Sequence, residues 1–471
     1  LAGVATRADA GGKESRMNPR WIVPFGLLVG LAALSLFMGE VPQVKTGGPV
    51  QPGDVAWLLT ATGLVLLMTP GLSFFYGGMV SPRNVISTML QSFVALGVIS
   101  LLWVAFGFSL AFGESVHGLI GNPLTYFMFR GVGTASHPDL SPTVPLLLFA
   151  MFQLKFAVIT PALVSGSFAE RVRFSAYLLF MCLFCICVYA PLAHWTWHPE
   201  GFLRRWGVLD FAGGTVVHMS AGFAALAAAI YMGPRIGHSR QGSHRPANTT
   251  YVILGTGMLW FGWFGFNAGS ALAADAVATH AFATTNTASA AAMLAWIFFD
   301  GLRRRKPSAL GACIGAVVGL VAITPAAAFV SVPHSILVGV VASLLSNVAV
   351  HLKSRSTLDD TLDVFPCHGV GGIVGMLLTG ALARDVGLIA GQTSTFTHHL
   401  YALVIVSVFS FGMSLALFKV IDLFVSVRVT PEDEAAGLDI SQHAECLSLV
   451  PTPAPAAAPS ETSIPRVPKV V

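Results

Sequence analysis

Two histidines stand where ionisable side chains are costly. His218 lies in the middle of an apolar run, within Asp210-Phe-Ala-Gly-Gly-Thr-Val-Val-His218-Met-Ser-Ala-Gly, and His368 lies in Asp363-Val-Phe-Pro-Cys-His368-Gly-Val-Gly-Gly. A titratable group inside a membrane-length apolar segment is a candidate functional group by default. Each segment begins at an Asp, and its glycines let a second helix approach the imidazole closely. A buried imidazole donating to a backbone carbonyl accounts for either residue alone, but two matching segments in one chain favour a shared role. A neutral imidazole accepts at one nitrogen and donates at the other, so two in series can hand on a proton. Two protonated rings side by side would repel, so at most one is charged at a time.

Aromatic residues form the second group. Trp263, Phe266 and Ser270 fall at i, i+3 and i+7, and Phe152 and Phe156 at i and i+4, so each set lines one face of a helix. Ordinary packing explains most aromatic stripes, yet this one ends in Asn267 and Ser270, polar groups that packing does not require. Trp197 closes the fourth apolar run, where a desolvated cation would gain about 2 kcal/mol from its ring face. Lys155 is a cation inside the third run that snorkels or pairs, and it receives no function. Cys182, Cys185 and Cys187 share an apolar run without a nearby histidine or carboxylate, so packing accounts for them better than zinc.

These side chains need membrane-spanning helices to hold them. The chain has 471 residues, 54% hydrophobic and 10% charged, with mean hydropathy +0.73; a soluble domain carries about 25% charged residues. The net charge of +4 sits in short basic clusters between apolar runs, which does not suit nucleic acid. Eleven runs of bilayer-crossing length fall near residues 55–78, 85–112, 143–168, 174–195, 210–232, 249–272, 283–300, 308–324, 330–351, 364–382 and 398–424. The expected fold is an all-α polytopic membrane protein.

The clusters at Arg83, Arg171 and Arg173, Arg235, Arg240 and Arg245, Arg303 to Lys306, Lys353 and Arg355, and Arg428 all follow odd-numbered runs. The opposite loops hold Arg130, Arg204, Arg205 and Arg384. The positive-inside rule then starts the first span outside and ends the chain in the cytoplasm. The Asp-to-His segments occupy the fifth and tenth runs. Five spans per half is an odd number, so duplicated halves would be inverted relative to each other, with the site near the midplane.

Residues 1–53 read as an extension whose apolar part, 21–38, is a signal peptide or an extra helix, with the signal peptide favoured. Residues 54–425 form the membrane domain and 426–450 a cytoplasmic tail. The Pro/Ala-rich end, 451–471, has the composition of a disordered segment.

Together these segments resemble the ammonium transporter family, the Amt/Mep/Rh group, over about residues 54–446. The resemblance rests on Phe-Tyr-Gly-Gly-Met near 75, Ala-Glu-Arg at 169–171, the Asp210-to-His218 segment, Trp-Phe-Gly-Phe-Asn-Ala-Gly-Ser at 263–270 and the His-Gly pair at 368. The run ending at Ser270 points to the bacterial Amt branch. The resemblance implies a homotrimer in the inner (plasma) membrane, eleven helices per subunit in two inverted five-helix repeats plus a last long helix, and one pore per subunit. It implies that Phe152, Trp197 and Ser270 recruit ammonium, Phe156 and Phe266 gate the pore, and His218 and His368 relay a proton. Trp263 would form pore wall and Asp210 a structural carboxylate. No cofactor, metal or nucleic acid is expected.

The tail from Arg428 to Glu445 resembles the family's regulatory tail, which implies a PII signalling protein as a partner at the cytoplasmic face. A charged amphipathic segment that merely docks is the plainer reading. After Glu445 the chain runs Cys-Leu-Ser-Leu-Val-Pro, where the family closes with Ala-Tyr. Three other functions compete with transport: an ammonium sensor or transceptor signalling through the tail, an Rh-like gas channel, and a membrane enzyme. The last lacks an oriented nucleophile or ligand set.

Overall fold

The computed structural model describes residues 21–39, 41–238 and 246–447. The start of the N-terminal extension (1–20), Arg240 and Arg245, the last tail residues (448–450) and the Pro/Ala-rich end lie outside the described residues.

Helix α1 (Ile22–Ser35) buries none of its residues. Then follow α2 (Pro52–Met79), α3 (Val85–Phe112), α4 (Leu146–Ser167), α5 (Phe174–Arg205) and α6 (Gly214–Met232). Next come α7 (Thr249–Ala268), α8 (Ala276–Leu302), α9 (Ala309–Ile323), α10 (Val332–Ser354), α11 (Phe365–Leu382) and α12 (Thr393–Asp422). Helices α2 to α12 thus occupy the eleven expected places. Among the described residues nine are long and apolar enough to cross a membrane, α7 and α9 being outside that set. With 15 residues, α9 rises about 22 Å at 1.5 Å per residue, short of a ~30 Å hydrocarbon core.

Capping residues account for the boundaries that hydropathy misplaces. α8 starts seven residues before the expected 283 because the Asp275 side chain accepts from Ala278 N. α6 starts at Gly214 rather than 210 because residues 210–213 form its cap, with Gly213 at φ +122°. Asn248 and Ser308 cap α7 and α9 in the same way.

Four of these helices contain a π-helical turn: Trp103–Gly107 in α3, Cys185–Tyr189 in α5, Gly214–Met219 in α6 and Phe365–Val370 in α11. Such turns are rare and concentrate at functional sites. The last two carry His218 and His368.

Helices α6 and α11 cross through glycines. A Cβ on Gly222 would collide with the backbone of Gly369, and one on Gly372 would meet Met219 Cγ and Gly214 O at 3.0 and 3.2 Å. In each helix the glycine four residues after the histidine faces the residue one after the other histidine or its near neighbours. The contact is reciprocal, and no larger side chain would let the two imidazoles approach.

At one end of the bundle lie two small antiparallel hairpins, β1 (Ser115–Val116) with β2 (Ile120–Gly121) and β3 (Ser136–His137) with β4 (Ser141–Pro145). The segment before α2 is tied to the second by Gly47 N–H to Ser136 O (3.0 Å) and Gln51 N–H to Thr143 O (2.8 Å). The opposite end carries a charged network. Arg235 donates to both Asp359 (2.8 Å) and Glu170 (2.6 Å), and the buried Arg171 lies beside Asp359. Burial pushes the Arg171 guanidinium down to about 10, with Asp359 opposing the shift.

The tail folds back against this end as α13 (Pro431–Ala436) and α14 (Leu438–His443). Arg428 pairs with Glu434 at 2.9 Å and donates to Met232 O and Pro234 O. Asp439 accepts from Ile86 N–H (3.1 Å) and Ser87 N–H (2.7 Å), so a tail carboxylate caps the first turn of α3.

Candidate functional site

The site begins with two carboxylates that start α6 and α11. Asp210 accepts from the backbone N–H groups of Gly213 (2.8 Å), Gly214 (2.6 Å) and Thr215 (2.7 Å) and from the Thr215 hydroxyl (2.5 Å). Its own carbonyl receives Trp197 Nε1–H at 3.1 Å, which holds the indole in place. The equivalent carboxylate on α11 is Asp360, not Asp363 as the sequence reading had it. Asp360 accepts from Phe365 N–H at 2.7 Å, five residues on, as Asp210 does from Thr215. Asp363 has φ +58°, and its carboxylate pairs with Lys353 Nζ at 2.6 Å instead. The signal was present in the sequence, since Asp360 precedes His368 by eight residues, as Asp210 precedes His218.

The π turns bring the two histidines together. Their Nδ1 atoms are 3.3 Å apart, and the rings stack at 5.4 Å and 26°. Both are nearly inaccessible, at 1% and 4% exposed. Trp263 stacks on His218 at 5.4 Å and 19°, and its Nε1–H donates to Thr324 Oγ1 at 2.9 Å. His218 Nε2 lies 3.3 Å from the same hydroxyl. Around the pair is a narrow cavity of about 10 Å³ whose other walls are apolar, Phe75, Ile159, Leu259 and Val317 among them. That is room for about one water-sized molecule.

Phe156 and Phe266 close one end of this cavity, their rings 4.2 Å apart at 31°. Beyond them opens a cavity of about 620 Å³ whose lining includes Phe156, Trp197, Ser270, Asp210 and Gln153. Trp197 stands edge-on to Phe156 at 5.8 Å. Ser270 donates to Phe266 O at 2.9 Å and so keeps lone pairs for another donor. Phe152 does not line this cavity. It is fully buried, edge-on to Phe156 at 5.0 Å and against Gly269.

Sequence reasoning missed Thr324, Asp360 and Gln153. Thr324 ends the apolar run 308–324 with no polar pattern to mark it. Gln153 was read only as part of the Phe-rich segment, yet it is 9% exposed and its Oε1 has no partner among the described residues. The cysteines are free, and no metal-binding group of histidine, cysteine and carboxylates occurs among the described residues. Lys155 is buried at 8% exposure with no hydrogen-bond or ion partner among the described residues.

A sequence profile of the Ammonium Transporter Family matches residues 56–447. An ammonium transporter from Bacillus subtilis is 44% identical over 404 residues, covering 84% of this chain and 98% of its own length. The crystal structure of Candida albicans Mep2 superposes with a TM-score of 0.79 at 33% identity, covering 84% of this chain and 92% of that one. The structure of a Sensor Amt Protein is similar at a TM-score of 0.77 and 29% identity, covering 83% and 98%. With this architecture, these motifs and this degree of likeness, the chain belongs to the ammonium transporter family as a multi-pass membrane protein.

Proposed function

We propose that this protein transports ammonium by recruiting it in the wide cavity, removing a proton at the two histidines beyond the phenylalanine gate, and conducting ammonia onward. The observation that carries this reading is the His218–His368 contact inside a cavity that fits one small molecule. A bare monovalent ion moved into low dielectric costs tens of kcal/mol by a Born estimate, and several kcal/mol even after relaxation. One indole face and one hydroxyl do not offset that. Ammonium can shed a proton and continue uncharged, whereas potassium has none to shed and meets the same barrier.

In this reading Trp197 and Ser270 hold the cation by its positive charge and one N–H. Phe152 acts indirectly, backing the gate ring of Phe156. Phe156 and Phe266 keep bulk water from the dry stretch, Trp263 holds His218 in its plane, and Asp210 fixes the start of α6. Each imidazole accepts at one nitrogen while donating at the other.

The wider architecture belongs to the same proposal. Eleven spans, with α7 and α9 counted among them, would place α2–α6 and α7–α11 as inverted repeats followed by α12. The reciprocal glycine contacts and the matched Asp–His spacings support that relation. The mouth lined by Trp197 would face outside and the tail the cytoplasm, in the inner membrane, with three subunits each holding a pore. The docked tail offers a surface for a PII signalling protein; a pull-down with and without 2-oxoglutarate tests it, and no binding in either state counts against it.

A second reading, an ammonium sensor, draws on the likeness to the Sensor Amt Protein and on the tail's tight docking. Solid-supported membrane recording on proteoliposomes separates the two. Transport predicts a current with ammonium and none with potassium. Ammonium binding without current would support the sensor, and equal currents with both cations would overturn the deprotonation step.

A further inference from the structure

The hydroxyl of Thr324 has three close neighbours and one hydrogen. Its Oγ1 lies 2.8 Å from Leu320 O, 2.9 Å from Trp263 Nε1 and 3.3 Å from His218 Nε2. A carbonyl oxygen only accepts and an indole N–H only donates. Helix α9 ends at Ile323, and the Thr324 N–H, which a continuing helix would give to Leu320, goes to Val321 O. The hydroxyl therefore donates to Leu320 and accepts from Trp263. What it offers His218 is a lone pair.

We propose that Thr324 is a positioning residue that keeps the hydrogen of neutral His218 on Nε2 and so sets the polarity of the histidine pair. With Nε2 protonated, His218 Nδ1 is bare. It faces His368 Nδ1 at 3.3 Å, and two bare nitrogens would repel there, so His368 carries its hydrogen on Nδ1. Donation runs from His368 to His218 to Thr324. The one uncommitted basic nitrogen of the pair is then His368 Nε2, although His218 is the ring nearer the gate, 6.1 Å from Phe266.

This rests on the transporter reading and adds direction to it. An ammonium N–H bond breaks, leaving the electron pair on ammonia, and a new N–H bond forms at His368 Nε2. The Nδ1 proton of His368 can shift to His218 Nδ1, so the pair holds one added proton and one positive charge. Reversal of the shift and release from His368 Nε2 to water restore the neutral pair.

Nitrogen-15 NMR of ring-labelled histidine in the full-length protein in bilayers reads protonated and bare ring nitrogens directly. Signals are assigned by their loss in single histidine variants. The expected wild-type pattern is His218 protonated at Nε2 and His368 at Nδ1. Thr324→Val should give mixed tautomers and lower the ammonium current about tenfold or more, while Thr324→Ser should keep both near wild type. The opposite wild-type pattern, or an unchanged spectrum in Thr324→Val, would overturn the proposal. The tautomer measurement does not need transport, so a wild type that moves no ammonium would sink the transporter reading alone.

Discussion

Gly222 and Gly369 meet backbone to backbone where α6 crosses α11, and this contact sets how near His218 can come to His368. A methyl group at position 222 has nowhere to go. Gly222→Ala should therefore destabilise the protein by about 1–3 kcal/mol through overpacking and push the imidazoles apart. Gly97→Ala is the control, since nothing lies within 4 Å of a Cβ there. Thermal unfolding in detergent should show a lowered midpoint for the first variant and none for the second. Equal midpoints would mean that the crossing has slack.

Asp210 satisfies three backbone N–H groups and one hydroxyl at the start of α6. Asp210→Ala strands those donors in a buried place, at a cost of about 1–3 kcal/mol for each one left unsatisfied. It should give little folded protein on size-exclusion chromatography. Asp210→Asn keeps one acceptor oxygen and should fold with a lowered melting temperature. A fully stable alanine variant would contradict the capping role.

Burial alone would raise the Asp359 carboxyl, but hydrogen bonds from Arg235 and the charges of Arg171 and Arg235 hold it at about 2. In the unfolded chain it titrates near 3.9. The stabilisation is thus complete above that value and is lost as pH falls from about 4 towards 2, amounting to roughly 2 kcal/mol. Melting temperature followed from pH 5 to pH 3 should drop more steeply in wild type than in Asp359→Asn. Parallel curves would remove Asp359 from the acid response.

The tail is held partly by the Asp439 carboxylate on the first turn of α3. Losing such a cap costs about 1 kcal/mol, so Asp439→Ala should speed amide exchange in residues 431–443 by about fivefold, leaving α6 and α11 unchanged. No change in tail exchange would show that the Arg428 contacts suffice.

Much of this was legible in the sequence, and for physical reasons. Long apolar runs have few alternatives to membrane helices, and the costly residues His218 and His368 advertised themselves by standing in them. Helical spacing put Phe152 with Phe156, and Trp263 with Phe266, on shared faces, whereas Trp197 was marked by its place at the end of the fourth apolar run. Asp360 was obscured by Asp363, which is nearer in sequence but is turned by its positive φ towards Lys353. The family resemblance implied a place for Phe152 on the recruitment surface, whereas its ring is fully buried against Gly269 and edge-on to Phe156. Thr324 was invisible because its importance depends on three partners distant or buried, none signalled by local pattern. The early start of α12 was missed because its first turns are rich in threonine and histidine, which hydropathy does not count as membrane helix, and that of α8 because the Asp275 cap sets it.

The central claim is that two touching imidazoles take a proton from ammonium. Ammonium-evoked current across proteoliposomes, compared between wild type and His368→Ala matched for folded protein, tests it most directly. The account predicts a current in wild type and its loss in the variant. An undiminished current in His368→Ala would contradict it.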